Sequence, residues 1–225
     1  MSAAPENDRF AADLRGFGPV GLGAILVIFL GAIVASGWGA GLLVLLWAYR
    51  SRTPWRELGF APQKGWPLTI AGGVLFGAAL KLLHKSVILP LLGIEPVNPV
   101  YHFLVGNTLA LPGMVFTVLV SAAFGEETFY RGYLFERIGK LLGGGARSKL
   151  VALVVSSSLF GAAHLVDQGR NGAVQAVIVG LVFGGIFAVT GRLWFLMIAH
   201  AAFDLTAVAI IYLDLETRVA HWFFK

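Results

Sequence analysis

The chain is a succession of apolar stretches long enough to cross a lipid bilayer. Between Gly16 and Tyr49 there is not one charged side chain. Trp66–Gly93, Thr108–Phe124, Ser148–Leu165, Gly172–Thr190 and Leu193–Leu213 are further apolar runs. A helix needs about 20 apolar residues to span about 30 Å of hydrocarbon. Inside that hydrocarbon every backbone N–H and C=O must be paired, so only helices and closed barrels are viable. No stretch alternates with period two, which removes the barrel. The fold class is therefore all-α, a polytopic transmembrane helix bundle of about seven spans. That count needs two short spans within 16–49, with the break at Ser36-Gly37-Trp38-Gly39. One long tilted helix is the alternative.

Composition agrees with this reading. Hydrophobic residues make up 57% of the chain and charged residues 13%, which excludes a solvated, disordered chain. Cysteine is absent, and with it a disulfide framework, a cysteine nucleophile and a thiolate metal site. Glycine is abundant, as suits close helix packing in lipid. The formal charge of +5 belongs to loops at one membrane face, so no nucleic-acid partner is expected. The tail, 50–64, 136–149 and Arg192 carry eleven Lys and Arg side chains; the opposite loops hold Arg170, Arg218 and Lys225. The bias predicts an integral membrane protein with its N-terminus in the cytoplasm, as in a bacterial inner membrane. The organisation expected is a polar tail at 1–15, N-terminal transmembrane helices with an amphipathic connector at 16–107, a catalytic core at 108–215 and a short tail at 216–225.

The informative residues are ionisable groups inside apolar runs, where charge is costly and usually functional. Glu126, Glu127 and Arg131 follow Val115–Phe124; His164 lies deep in Val151–Leu165; His200 and Asp204 lie within Leu193–Leu213. Three clusters on three helices suggest one polar cavity. Glu127 and Arg131 are four apart and can pair on one helix face. Glu126 is rotated by about 100° and is free for another partner. His200 and Asp204 are also four apart, so the carboxylate can orient the imidazole. His164 has no acid one turn away, which makes Glu126 its expected partner. A buried carboxylate beside a histidine can deprotonate water. A second histidine can donate to a developing oxyanion. Lys81, His84 and Lys85 read as groups snorkelling at a span end, with substrate contact as the minor reading. His102 and His221 receive no function. Ser156–Ser158 read as ordinary membrane-helix hydroxyls, and Gly180 with Gly184 as a packing pair.

Glu126-Glu127-Thr-Phe-Tyr-Arg131 matches Glu-Glu-x-x-x-Arg, Phe160-Gly-Ala-Ala-His164 matches Phe-x-x-x-His, and His200-Ala-Ala-Phe-Asp204 matches His-x-x-x-Asn/Asp. In this order the chain resembles the CPBP family, the CAAX-processing and bacteriocin-processing (Abi) membrane proteases. The resemblance implies an intramembrane endopeptidase acting on a membrane-associated peptide or lipidated protein. It implies that Glu126 and His164 activate water, that His200 and Asp204 stabilise the oxyanion, and that Glu127, Arg131 and Phe160 support the site. Prenyl-protein processing members carry Asn in the last motif where this chain has Asp204. An ionised Asp cannot donate to an oxyanion, so Asp204 is expected to act through His200. Metal-free chemistry is the expectation. A zinc-dependent version would use Glu126, His164 and His200, although His-Glu-x-x-His spacing is absent. The other readings are a non-catalytic membrane immunity or partner protein, and a transporter, for which the chain lacks the paired halves.

Overall fold

The computed structural model describes residues 6–224; residues 1–5 of the N-terminal tail, and Lys225, lie outside the described residues. The described residues form helices and turns, with no strand among them. They are α1 Glu6–Arg15, α2 Pro19–Val34, α3 Ser36–Arg50, α4 Trp66–Leu91, α5 Thr108–Leu141, α6 Gly145–Thr190, α7 Leu193–Tyr212 and the short α8 Glu216–Ala220. The tail expected at 1–15 is thus helical from Glu6. α4 to α7 are each long and apolar enough to cross a membrane; α1 and α2, bent by 61°, would make a fifth span if taken together.

The expected count of seven differs from this for two physical reasons. α2 and α3 have 16 and 15 residues, about 24 and 22 Å at 1.5 Å per residue, short of the hydrocarbon thickness. They form a tight antiparallel hairpin about Ala35 and Ser36, with Gly31 against Leu43. This settles 16–49 as two helices. α6 runs 46 residues but is broken at Gly169 (φ 66°, ψ −168°), a conformation essentially reserved for glycine. Its arms fold back on each other, Gly161 against Val177 and Ala173, Gly180 against Ser157, Gly184 against Leu153. Gly180 and Gly184 are therefore a packing face, as their spacing predicts.

Lipid offers no hydrophobic drive for helices to associate, so small residues let backbones approach. A Cβ on Gly125 of α5 would come 2.2 Å from the carbonyl oxygen of Gly37 of α3, and one on Gly77 of α4 2.1 Å from that of Ala199 of α7. Two apolar clusters surround these seams. One joins α2 and α3 to α5 through Trp47, Phe129 and Tyr133; the other joins α7 to α6 and α5 through Phe183, Phe187 and Phe135.

The basic connectors meet at one end of the bundle. Glu57 pairs with Arg15 (3.7 Å) and Lys140 (3.0 Å), Arg137 donates to the carbonyl of Arg15 (2.8 Å), and Leu193 N–H to that of Gly59 (3.0 Å). At the other end Gly106 N–H donates to the Tyr212 carbonyl (3.0 Å), Gln168 to the Tyr101 hydroxyl (3.1 Å) and Asn98 N–H to Glu216 (3.1 Å). The expected tail at 216–225 thus begins as an anchored element.

Candidate active site

α5 carries two adjacent glutamates into the centre of the bundle. Its middle, Thr117–Tyr133, is wound with wide i→i+5 turns, a form often found at functional sites. Every residue from Glu127 to Tyr133 is buried, because neighbours cover this helix on all sides. The hairpin tip of α2 and α3 abuts the start of this segment. A Cβ on Gly37 would meet the Ser121 carbonyl at 2.3 Å and Glu126 Cγ at 2.7 Å. The N-terminal hairpin thereby fixes where Glu126 stands.

The two glutamates have different surroundings. Glu127 is wholly buried, and its Oε1 accepts hydrogen bonds from Arg131 Nη1 (2.8 Å) and His200 Nδ1 (2.7 Å). Arg131 is equally buried, and its guanidinium carbon lies 4.7 Å from the centroid of the Phe160 ring and 5.7 Å from that of Phe183. A carboxylate accepting two charge-assisted bonds while its arginine stacks on aromatic faces is held rigidly. Glu126 is partly exposed to a cavity of about 550 Å3 that it shares with His164, His200 and Asp204.

His200 is the hub of the cluster. Its Nδ1–H is committed to Glu127, so Nε2 faces the cavity, 3.5 Å from Asp204 and 3.9 Å from Glu126. The contact to Asp204, four residues on along its own helix, is thus the longer one, and the acid hydrogen-bonded to His200 is Glu127, from another helix. Asp204 approaches the far nitrogen. His164 Nδ1–H donates to the carbonyl of Phe160 (2.8 Å), and its ring meets Phe160 edge-on at 4.5 Å. This bond leaves Nε2 without a proton in the neutral ring, available to accept one. Glu126 and His164 line one cavity but do not form the direct ion pair expected of them.

The same cavity contains residues that the motifs do not include. Lys81, His84 and Lys85 line it. His84 is 1% and Lys85 5% exposed, which corrects their reading as snorkelling groups. α4 does not end near them. It passes through a wide turn at His84–Ile88 that brings three successive side chains, His84, Lys85 and Ser86, inward. Tyr101, in the connection before α5, also lines the cavity. Burial, and then the charges of Asp204 and Glu126, push its phenol above the usual tyrosine range, so it stays a neutral hydroxyl. No pattern in the chain marks Tyr101; only the return of its loop over the cavity does.

Zinc binds His nitrogen and carboxylate oxygen at about 2.0–2.2 Å in convergent, near-tetrahedral sets. Among the described residues no three His, Asp or Glu side chains are arranged to hold a metal. The Nδ1 bonds of His164 and His200 leave each Nε2 as the ring nitrogen open to a metal, and these atoms are not gathered with Glu126 into a metal-ligand set.

No curated protein and no solved structure matches the chain. A protein-family model, Type II CAAX prenyl endopeptidase Rce1-like, matches residues 108–206, the stretch from the start of α5 into α7 that supplies every motif residue. Residues 108–206, somewhat less than half of the chain, are therefore similar to the Rce1-like type II CAAX prenyl endopeptidases.

Proposed function

We propose that the protein is an intramembrane endopeptidase that hydrolyses a peptide bond in a membrane-associated or lipid-anchored substrate, using water activated by Glu126 and His164. The observation that carries this is the division of labour between adjacent glutamates. Glu127 is consumed by Arg131 and His200, whereas Glu126 faces the cavity beside His164. Glu126 accepts the proton of the attacking water, and His164 Nε2 orients that water and relays the proton toward the leaving amine. His200 Nε2, aimed by the bond from Nδ1–H to Glu127, donates to the oxyanion that develops on the scissile carbonyl. Asp204 acts through His200 Nε2 rather than on the oxyanion itself. This reading routes no step through a metal. The basic connectors gathered at one end of the bundle support a cytoplasmic N-terminal end, as in a bacterial inner membrane.

The test is cleavage of quenched farnesyl-cysteine peptides by the full chain in liposomes. Glu126→Ala and His164→Ala should each lower the rate by about 10²–10⁴-fold, with the wild type unaffected by chelator. Rate loss on chelation with rescue by zinc would overturn the metal-free mechanism. A cellular role insensitive to Glu126→Ala would favour the non-catalytic partner reading. Asp204→Asn tests the last assignment: a changed pH–rate profile is expected, and an unchanged one would remove Asp204 from the site.

A further inference from the structure

The four motif groups that face the cavity are unevenly matched to an oxyanion. Glu126 and Asp204 are carboxylates that accept hydrogen bonds, and His164 presents an unprotonated Nε2 that accepts as well. His200 Nε2 is the one donor of the four, and Asp204 at 3.5 Å and Glu126 at 3.9 Å already draw on it. Negative charge developing there would meet more acceptors than donors. Such charge is stabilised by donors fixed in place beforehand, which turns attention to donors outside the motifs.

Tyr101 is such a donor. It stands in the connection between α4 and α5 and lines the same cavity. Its backbone is pinned on both sides. Its N–H donates to the Asn98 carbonyl (3.3 Å), and its carbonyl accepts from the N–H of the fully buried Leu104 (3.0 Å). Its hydroxyl oxygen accepts a hydrogen bond from Gln168 Nε2 (3.1 Å). Accepting that bond leaves the hydroxyl proton free to donate elsewhere. Gln168 lies one turn beyond His164 on the first arm of α6, so the two side chains share a face about 5–6 Å apart at Cβ. Across the break at Gly169 the glutamine is packed closely: a Cβ on Gly172 would come 2.2 Å from that of Gln168. The anchor thus sets the phenol beside the arm that carries His164. Burial, with the charges of Asp204 and Glu126, keeps that phenol protonated. We propose that the Tyr101 hydroxyl is a further catalytic group, donating a hydrogen bond alongside His200 Nε2 to the oxyanion of the scissile carbonyl, with Gln168 as its positioning residue. It transfers no proton. This rests on the protease reading and adds to it a residue from outside the matched stretch.

The test uses the full chain in liposomes with the quenched farnesyl-cysteine peptide and an analogue bearing an ester at the scissile bond. Tyr101→Phe removes one oxygen and keeps the ring. It should lower kcat by about 10²–10³-fold and leave KM nearly unchanged, the mark of a contact made only in the transition state. The loss should be alike for peptide and ester, since both develop the same oxyanion. A loss confined to the peptide would put the hydroxyl at the leaving amine and overturn the assignment. Gln168→Ala should lower kcat by a smaller factor, and adding it to Tyr101→Phe should cost nothing further, because the glutamine acts through the hydroxyl. Losses that multiply independently would remove Gln168 from its role. Should thermal unfolding in detergent show Tyr101→Phe to be misfolded, Gln168→Ala is read in its place: it keeps the phenol and frees it, and an unchanged kcat there would overturn the donor. An active wild type with kcat unchanged in Tyr101→Phe would overturn the donor and leave the protease reading standing. A wild type that cleaves neither substrate would sink the protease reading, and the donor with it.

Discussion

Glu126 and Glu127 are neighbours in sequence, yet they should respond oppositely to substitution. Glu127 satisfies two buried cationic donors, and Glu127→Ala would leave Arg131 charged and unpaired among Phe160 and Phe183. Breaking one side of a buried pair costs about 3–5 kcal/mol, so thermal unfolding in detergent should show a large drop. Glu126 is partly open to the cavity and bears no such load. Glu126→Ala should abolish cleavage with little change in unfolding temperature. Equal destabilisation by the two variants would contradict the division of roles. The pairing of Glu127 with Arg131 was legible from their spacing of four. The bond from His200 to Glu127 was not, because it crosses between helices. The same spacing logic favoured Asp204, which approaches the other ring nitrogen at 3.5 Å.

At the scale of elements, glycines decide which helices touch. Gly169 lets α6 double back, and Gly169→Ala would put a Cβ into a conformation costing about 1–3 kcal/mol. The variant should be less stable by that order in unfolding titrations. Gly125 is the sharper probe. Its Cβ would fall 2.2 Å from the Gly37 carbonyl, a backbone atom that cannot swing away as a side chain can. Gly125→Leu should push α3 off α5 and displace Glu126. Cleavage should fall strongly, and thermal unfolding in detergent should shift to lower temperature. The apolar runs made the helices legible. The hairpin of α2 and α3 was half legible: the break at Ser36 stands in the sequence, but its contact with Glu126 depends on how deep the tip sits in the bundle.

For the whole molecule, the two ends are chemically unlike, and the absence of native cysteine makes them easy to label. Single cysteines at Arg56→Cys and Lys140→Cys should react with a membrane-impermeant maleimide only after the membrane is opened, and Asn171→Cys without opening. Reaction of all three from one face would contradict the arrangement. At the second end the buried Lys85–Glu216 pair holds α8 and the segment before α5 against α4. Glu216→Gln should speed amide exchange across Ile94–Tyr101 while leaving Trp66–Leu80 protected.

The sequence by itself determined the class of fold, since apolar runs of bilayer length that lack a period of two leave the backbone no alternative to helix. It also singled out the motif residues that meet at the cavity, because ionisable groups inside such runs are too costly to be incidental. The tertiary structure alone decided the partners. Spacing along one helix shows which side chains can meet, but contacts between helices follow from where glycine seams let backbones close. That is why Glu127 rather than Asp204 orients His200, and why the N-terminal hairpin braces Glu126. It is also why Lys81 and His84, which read as residues reaching for the membrane surface, instead line the cavity.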